Sequence, residues 1–261
     1  MKKLLLISIL LPVSMGWAQS PFDGTWKADL SKLKFPTKPD VLVLKDGRYQ
    51  CSTCVPTKID IVADGHDQQV MGNPYFDTMS VKTEDSKTVD IIAKKNGKVV
   101  GKERDTVSED GNQFTSEWTG RNDPESPEMS AKGVHTRLAK GPAGAHAISG
   151  SWRTEKATDA SESLVTVTYK SIDNGLEMSQ PNGSSYSAKF DGKDYPYKGD
   201  PGTSSVSLKR INDRHIEETD KFDGKVIVVA DITVSPDGQT MTTAVRDKRA
   251  GTTFTIVSNK Q

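Results

Sequence analysis

The sequence has few of the residues from which most catalytic and metal sites are built. Its 261 residues include only two cysteines and four histidines. None of the histidines lies in an H-E-x-x-H motif or close to the serine of a G-x-S-x-G turn. No glycine loop of the phosphate-binding type precedes a helix pattern. We therefore expect no metal site and no cofactor, and we expect that the protein is not an enzyme.

An excess of charge of one sign is also lacking, because 35 Lys and Arg residues balance 35 Asp and Glu residues. Proteins that bind nucleic acids by their phosphates carry a strongly basic surface. We therefore expect no nucleic-acid partner. Beyond residue 18 the sequence has no apolar run long enough for a membrane helix, so we expect no membrane anchor.

The one long apolar run stands at the very start of the chain. Lys2 and Lys3 precede the run 4–15, and Gly16-Trp17-Ala18 places small residues at the −3 and −1 positions of a cleavage site. This pattern is typical of a secretory signal peptide over 1–18. Gln19 follows, where a lipid-anchored bacterial protein has a cysteine. The sequence thus predicts a soluble mature protein in the periplasm or the medium.

The two cysteines, Cys51 and Cys54, form a C-x-x-C motif. A haem attachment site needs a histidine after the second cysteine, but Val55 stands there. A thioredoxin-like site needs the pair at the start of a helix, whereas the flanking residues are typical of strands. In an oxidising compartment we expect a local structural disulfide across a turn, with redox chemistry or metal binding as the alternatives.

An internal repeat is the strongest signal in the sequence. The segments 22–27 and 148–153 share a Gly-x-Trp motif, and residues 64–115 align without a gap on 191–242. Seventeen of the 52 aligned positions are identical. Between the copies, 140–147 is rich in glycine, alanine and proline. The sequence therefore predicts two domains, 19–139 and 148–261, joined by a linker at 140–147 that a protease should cut to leave two folded fragments.

Turn dipeptides recur at hairpin spacing in both copies, for example Asp46-Gly47 and Asn96-Gly97 in the first and Asp223-Gly224 in the second. The stretches between them are rich in Val, Ile, Thr and Tyr, and no window has a convincing helical period. The pattern predicts an all-β protein made of two tandem antiparallel up-and-down β-barrels of about eight strands each, because closure removes unpaired edges. Open single-layer or sandwich β-sheets are the alternative.

The Gly-x-Trp motif at the start of each copy is similar to that of the lipocalins, and 22–27 resembles the opening strand of the fatty-acid-binding proteins. Both belong to the calycin barrels. The mature chain as a whole also resembles a group of uncharacterised secreted bacterial proteins with tandem repeats of this kind. The resemblance implies that Trp26 and Trp152 pack at the closed end of their barrels. It also implies that Arg137, near the end of the first copy, packs over such a tryptophan.

The resemblance has limits that bear on the ligand. The last strand of the second copy contains no arginine to match Arg137. Neither copy has the Arg-x-Tyr with which fatty-acid-binding proteins hold a carboxylate. The chain therefore departs from these families at the position that would bind a fatty acid.

Alternation along one strand marks a candidate ligand site. In the second copy the residues at alternate positions from Val226 to Val234 form an apolar stripe, and the matching face of the first copy carries Glu103 and Asp105. The two interiors are then expected to differ in polarity. Either a bulge turns these carboxylates towards solvent, or they mark a polar ligand pocket.

These observations favour an exported binding or carrier protein for a small molecule, with Glu103 and Asp105 as ligand-binding residues. The alternative is a structural or protein-interaction module whose barrels are filled with side chains. The partner would be a small molecule in the first case and another extracytoplasmic protein in the second.

Overall fold

The computed structural model describes residues 20–261, so the predicted signal peptide lies outside the described residues. The described chain is all-β, as predicted, and its only α-helix is the four-residue α1 (Glu162–Val165). A single 3-10 turn covers Leu30–Lys32. The strands in chain order are β1 (Gly24–Ala28), β2 (Asp40–Lys45), β3 (Arg48–Cys51), β4 (Ile59–Val62), β5 (Gln68–Gln69), β6 (Thr78–Thr83), β7 (Thr88–Lys95), β8 (Lys98–Val107), β9 (Gln113–Gly120), β10 (Met129–Lys140), β11 (Gly150–Ala160), β12 (Thr166–Ile172), β13 (Gly175–Ser179), β14 (Ser185–Lys189), β15 (Tyr195–Lys198), β16 (Ser205–Asn212), β17 (His215–Phe222), β18 (Lys225–Val234), β19 (Thr240–Asp247) and β20 (Thr252–Lys260).

The strands form two antiparallel barrels, which confirms the predicted fold class. The first barrel consists of β2 to β11 and the second of β1 together with β12 to β20. Each has ten strands, so the expectation of about eight was too low. The second barrel is closed, whereas in the described part of the first no ladder joins β4 to β5.

Each barrel contains one strand from the other repeat. Strand β1 of the first repeat pairs with β12 and β20 in the second barrel. Strand β11 of the second repeat pairs with β2 and β10 in the first barrel. The expectation that 19–139 and 148–261 each fold as a separate barrel is therefore wrong for these two strands.

The connections explain how the exchange occurs. Residues 29–39 carry the chain from the second barrel to the first, and Lys34 still pairs with Thr255 on the way. The predicted linker 140–147 turns back between β10 and β11 and so stays within the first barrel. The chain returns to the second barrel only at α1. Because the first strands of the two repeats are alike, each can complete the barrel of the other.

Cleavage between Ala143 and Gly144, where the turn is exposed, tests the exchange. We expect two bands on a denaturing gel but one particle of full mass by size-exclusion chromatography. Each fragment would still contribute a strand to the barrel formed mostly by the other. Two native species of half mass would show instead that the repeats are independent, as the sequence alone suggests.

Candidate ligand-binding site

The closed end of each barrel is built around a tryptophan. Trp26 lies in the core of the second barrel and Trp152 in that of the first, and both are fully buried. Their indole nitrogens donate to main-chain oxygens four residues earlier, Phe22 O at 2.9 Å and Ile148 O at 2.7 Å. The two tryptophans thus occupy equivalent places, but each does so in the barrel of the other repeat.

A basic side chain from the last strand of each repeat lies over the tryptophan. The Arg137 guanidinium is 3.9 Å from the Trp152 ring centroid, and the Lys260 ammonium is 5.2 Å from that of Trp26. The second repeat has no arginine at this position, and Lys260 makes the contact that Arg137 makes in the first repeat. Attraction between a cation and an aromatic face contributes to both contacts.

The glycine of the Gly-x-Trp motif makes room for these basic side chains. Gly150 has a φ of +151°, and a Cβ there would collide with Ala139 O and the Arg137 guanidinium. Gly24 has a φ of +127°, and a Cβ there would lie 2.8 Å from Lys260 Cε. The motif is thus explained by close approach and backbone conformation together.

Glu103 and Asp105 both face the interior of the first barrel. The ladder runs without a shift through the pairs Asp105–Ser116 and Glu103–Trp118, so no bulge turns them outwards. The Asp105 side chain is only 3% exposed, and its Oδ1 has no hydrogen-bond partner among the described residues. Of the two sequence interpretations, the structure therefore supports the inward one.

A bulge does occur nearer the mouth, and it changes the apolar stripe predicted for the second repeat. The register of β18 shifts between Val226 and Val228, so Ile227 is buried and Val226 is 42% exposed. The stripe predicted from alternation is therefore wrong at Val226, although Ala230, Ile232 and Val234 are buried as expected.

A cavity of about 380 Å³ lies above Glu103. This volume falls within the range of roughly 300–1,000 Å³ that is usual for small-molecule sites. Its wall is largely apolar, and a few polar side chains converge on it. The lining includes Phe76, Met79, Ile91, Ala93, Val100, Gly101, Glu103, Trp118 and Met129, with Asn73, Tyr75, Arg121 and Asn122 towards the mouth.

Burial raises the pKa of both carboxyl groups of the pair Glu103 and Asp105. For Asp105 the next cause is the neighbouring charge of Glu103, and its pKa lies well above the usual range. The pKa of Glu103 is also raised, although a hydrogen bond with Asp105 opposes the shift. Two carboxyl groups this close cannot both ionise at low cost, so the pair retains protons at a pH where free carboxyls lose theirs.

A row of polar side chains continues from Asp105 across the neighbouring strands. Ser116 Oγ lies 3.0 Å from His135 Nε2, and His135 Nδ1 lies 3.1 Å from Thr154 Oγ1. Burial lowers the pKa of His135 to about 4, and its ring stacks on Phe114. Sequence reasoning did not connect these residues, since Ser116 and His135 belong to separate strands in no known motif.

The second barrel contains a carboxyl pair of its own, Glu218 and Asp220 on β17. Tyr186 donates a hydrogen bond to Glu218 at 2.5 Å. Burial raises the pKa of Glu218 to about 6, and burial followed by the charge of Glu218 raises that of Asp220 to about 8. The two interiors were expected to differ in polarity, but both contain a pair of buried carboxyl groups.

The two pairs are related across a hairpin. In the first barrel Glu103 on β8 stands opposite Ile91 on β7, and in the second Glu218 on β17 stands opposite Ala230 on β18. Because the repeats align with Ile91 on Glu218 and Glu103 on Ala230, both barrels carry a glutamate at the same level but on opposite strands. The alternating Ile216, Glu218 and Asp220 could have indicated this from sequence.

The mouths of the two barrels face each other. Asn122 donates to Gly199 O at 2.7 Å, and Asn182 Nδ2 lies 3.6 Å from Met129 Sδ. The Tyr75 hydroxyl occupies the space that a side chain at position 202 would need, which explains Gly202 there. Because Tyr75, Asn122 and Met129 also line the cavity, the second barrel covers part of its mouth.

Cys51 and Cys54 form a disulfide, which confirms the predicted pairing. The bridge closes the loop between β3 and β4, and the next residues, Val55 and Pro56, line the mouth of the cavity. The disulfide therefore constrains one side of the entrance.

No cluster of three or more His, Cys, Asp and Glu side chains suited to a metal ion occurs within residues 20–261. In the same part of the chain, no helix is long and apolar enough to cross a membrane. Comparison of the chain with protein-family models, with curated proteins and with solved structures gave no match in any of the three.

Proposed function

We propose that this is an exported binding protein that carries a small molecule in its first barrel, in the manner of the calycins that its Gly-x-Trp motifs resemble. The observation that supports this most directly is the cavity above Glu103. It combines an apolar wall with a few polar groups, which is the usual composition of a ligand site. The disulfide agrees with a location in the periplasm or outside the cell.

The second barrel explains why only one ligand is proposed. Where the first barrel has Gly101 and Ala93, the aligned positions hold the larger Val228 and Asp220. The interior is further filled by the side chains of Leu176, Leu208, Tyr169, Tyr186 and Tyr197. In this proposal the second barrel is a support that holds the mouth loops of the first.

A binding role fits the polar row better than catalysis does. His135 Nδ1 faces the hydroxyl of Thr154, whereas a serine nucleophile is normally activated by a histidine that a carboxylate orients. We therefore propose that Ser116 and His135 form a structural hydrogen bond that satisfies both polar groups within the core.

Narrowing the cavity tests the proposal. The Cβ of an alanine at position 101 would meet its nearest neighbour, Ala93 Cβ, at 3.5 Å, so a somewhat larger side chain can be tolerated there at the expense of the cavity. We expect Gly101→Val, which imitates the second barrel, to abolish the ligand-induced rise in melting temperature seen in a small-molecule screen of the wild type. At a ligand concentration 100 times the Kd, binding raises the unfolding free energy by about 2.7 kcal/mol.

Thr119→Val on the outer face of β9 is the matched control, because it adds the same residue to a neighbouring strand. It should retain the ligand response. If Gly101→Val responds as the wild type does, the ligand binds elsewhere. A wild type that responds to no compound and retains none after purification would favour the second candidate, a protein-interaction module, for which the filled second barrel is the supporting observation.

A further inference from the structure

The carboxyl pair of the first barrel has no cationic partner in the protein. Among the described residues no Lys, Arg or His nitrogen lies within 4.0 Å of a carboxyl oxygen of Glu103 or Asp105. Of the nearby cations, Arg104 pairs with Asp90 at 2.6 Å and Arg121 with Glu128 at 3.0 Å. Lys102 also borders the cavity, but it is exposed and forms no ion pair with Glu103 or Asp105 in the described chain. A buried carboxylate without a partner is costly, which favours a site that a ligand completes.

The other groups that face the pair add no positive charge. Asp40 on β2 and Tyr49 on β3 act on the pair from one side, and Ser116 on β9 and His135 on β10 lie on the other. His135 is neutral near pH 7, since burial lowers its pKa to about 4. At the mouth, Tyr75 is neutral and Arg121 is paired with Glu128. The interior is thus electrostatically suited to a cation and unsuited to an anion such as a fatty acid.

We propose that the first barrel selects small primary amines, with the ammonium group bound by Glu103 and the carboxyl of Asp105 behind it. The apolar part of the amine lies against the apolar wall of the cavity, which includes Trp118 and Phe76. This inference rests on the proposed ligand-binding function and specifies its ligand class. Glu103 is the member of the pair that lines the cavity, and Asp105 Oδ1 behind it has no hydrogen-bond partner among the described residues.

Binding of an ammonium ion is coupled to the release of protons. The empty pair retains protons because burial disfavours its charge, and the incoming cation favours the ionised form. The affinity for amines therefore rises with pH above the ordinary range of carboxyl pKa values, where the empty pair still retains protons. The released protons pass to the buffer, so the heat of binding depends on the ionisation enthalpy of the buffer.

The test uses nine probes on the full mature protein. A primary amine, a neutral alcohol and a carboxylate are each tested with a phenylethyl, a hexyl and a butyl chain. Isothermal titration calorimetry at pH 7 should give at least tenfold higher affinity for an amine than for the alcohol with the same chain. Glu103→Gln should lower the amine affinity at least tenfold and leave the alcohol affinity within about twofold. Glu218→Gln, at the same level of the second barrel, is the matched control and should bind as the wild type does.

The possible outcomes separate this inference from the proposed function. If the alcohols or carboxylates bind as well as the amines, the cavity is a ligand site but the choice of amines is wrong. If none of the nine probes binds at ligand concentrations up to about 10 mM, where even weak binding is detected, the inference is overturned. The proposed function has its own test, and it would be overturned as well if the Gly101→Val variant responded as the wild type does in the wider screen. Amine binding without proton release would also contradict the inference.

Discussion

Replacing Trp152 by alanine is expected to destabilise the first barrel, although Trp152 belongs to the second repeat. The residue is fully buried in the core of the first barrel, where the Phe114 ring meets it edge-on at 4.8 Å. Removing a large buried aromatic side chain costs about 3–5 kcal/mol of unfolding free energy. Trp26→Ala should have the same effect on the second barrel.

Hydrogen exchange read by mass spectrometry locates each effect. In Trp152→Ala, peptides from β6 to β9 should lose protection more than those from β16 to β19, and Trp26→Ala should give the opposite pattern. Surface substitution at Lys156, an exposed position on the same strand as Trp152, is the control and should change neither set. If each alanine variant weakened only the barrel formed by its own repeat, the strand exchange would be wrong in solution.

The second large effect is a loss of stability as the pH rises. The folded-state pKa of Asp220 is about 8 and that of Glu218 about 6, whereas the ordinary values are 3.8 and 4.5. The native state therefore binds more protons than the unfolded state between about pH 4 and 8. The unfolding free energy must fall as the pH rises through that window. Each unit of pKa difference is worth about 1.4 kcal/mol, so the fall should amount to several kcal/mol.

Urea unfolding at pH 5 and pH 8 measures this dependence. Asp220→Asn removes the group with the larger shift in this pair and should reduce the loss of stability between the two pH values. The part that remains comes from Glu218 and from the raised pKa values of Glu103 and Asp105. Asp173→Asn is the control, since the Asp173 side chain is 98% exposed at a turn. A wild type that is equally stable at both pH values would show that the interior carboxyls ionise without penalty.

The arrangement of the barrels gives the duplication a physical role. A single barrel with an open mouth would expose the loops around Tyr75 and Asn122 to solvent. In this protein those loops lie on the second barrel, and the two exchanged strands keep the barrels together. Strand exchange thus makes the stability of each barrel depend on a strand from the other repeat.

The sequence determined those features that depend on local patterns. Turn dipeptides such as Asn96-Gly97 have positive φ at both residues, and alternation between turns defines most strands. The Gly-x-Trp motifs located the two tryptophans, and the spacing of Cys51 and Cys54 indicated the disulfide. Alternation also placed Glu103 and Asp105 on one face of a strand, because a strand has a period of two, but it left open whether a bulge turns that face towards solvent.

Tertiary structure alone decided which strand joins which barrel, and this in turn decided the site. Strands β1 and β11 begin with nearly the same sequence pattern, so the sequence does not show which barrel each one joins. The exchanged pairing is seen only in the tertiary structure, where residues 29–39 and α1 connect the two barrels. The acidic pair of the second barrel was not predicted. Glu103 aligns with Ala230 on β18, whereas Glu218 lies on the neighbouring strand β17. Local sequence specifies the face of the strand on which a side chain lies. The groups that it meets across the barrel depend on how distant segments pair, and the free energy of that pairing cannot be read from a local pattern.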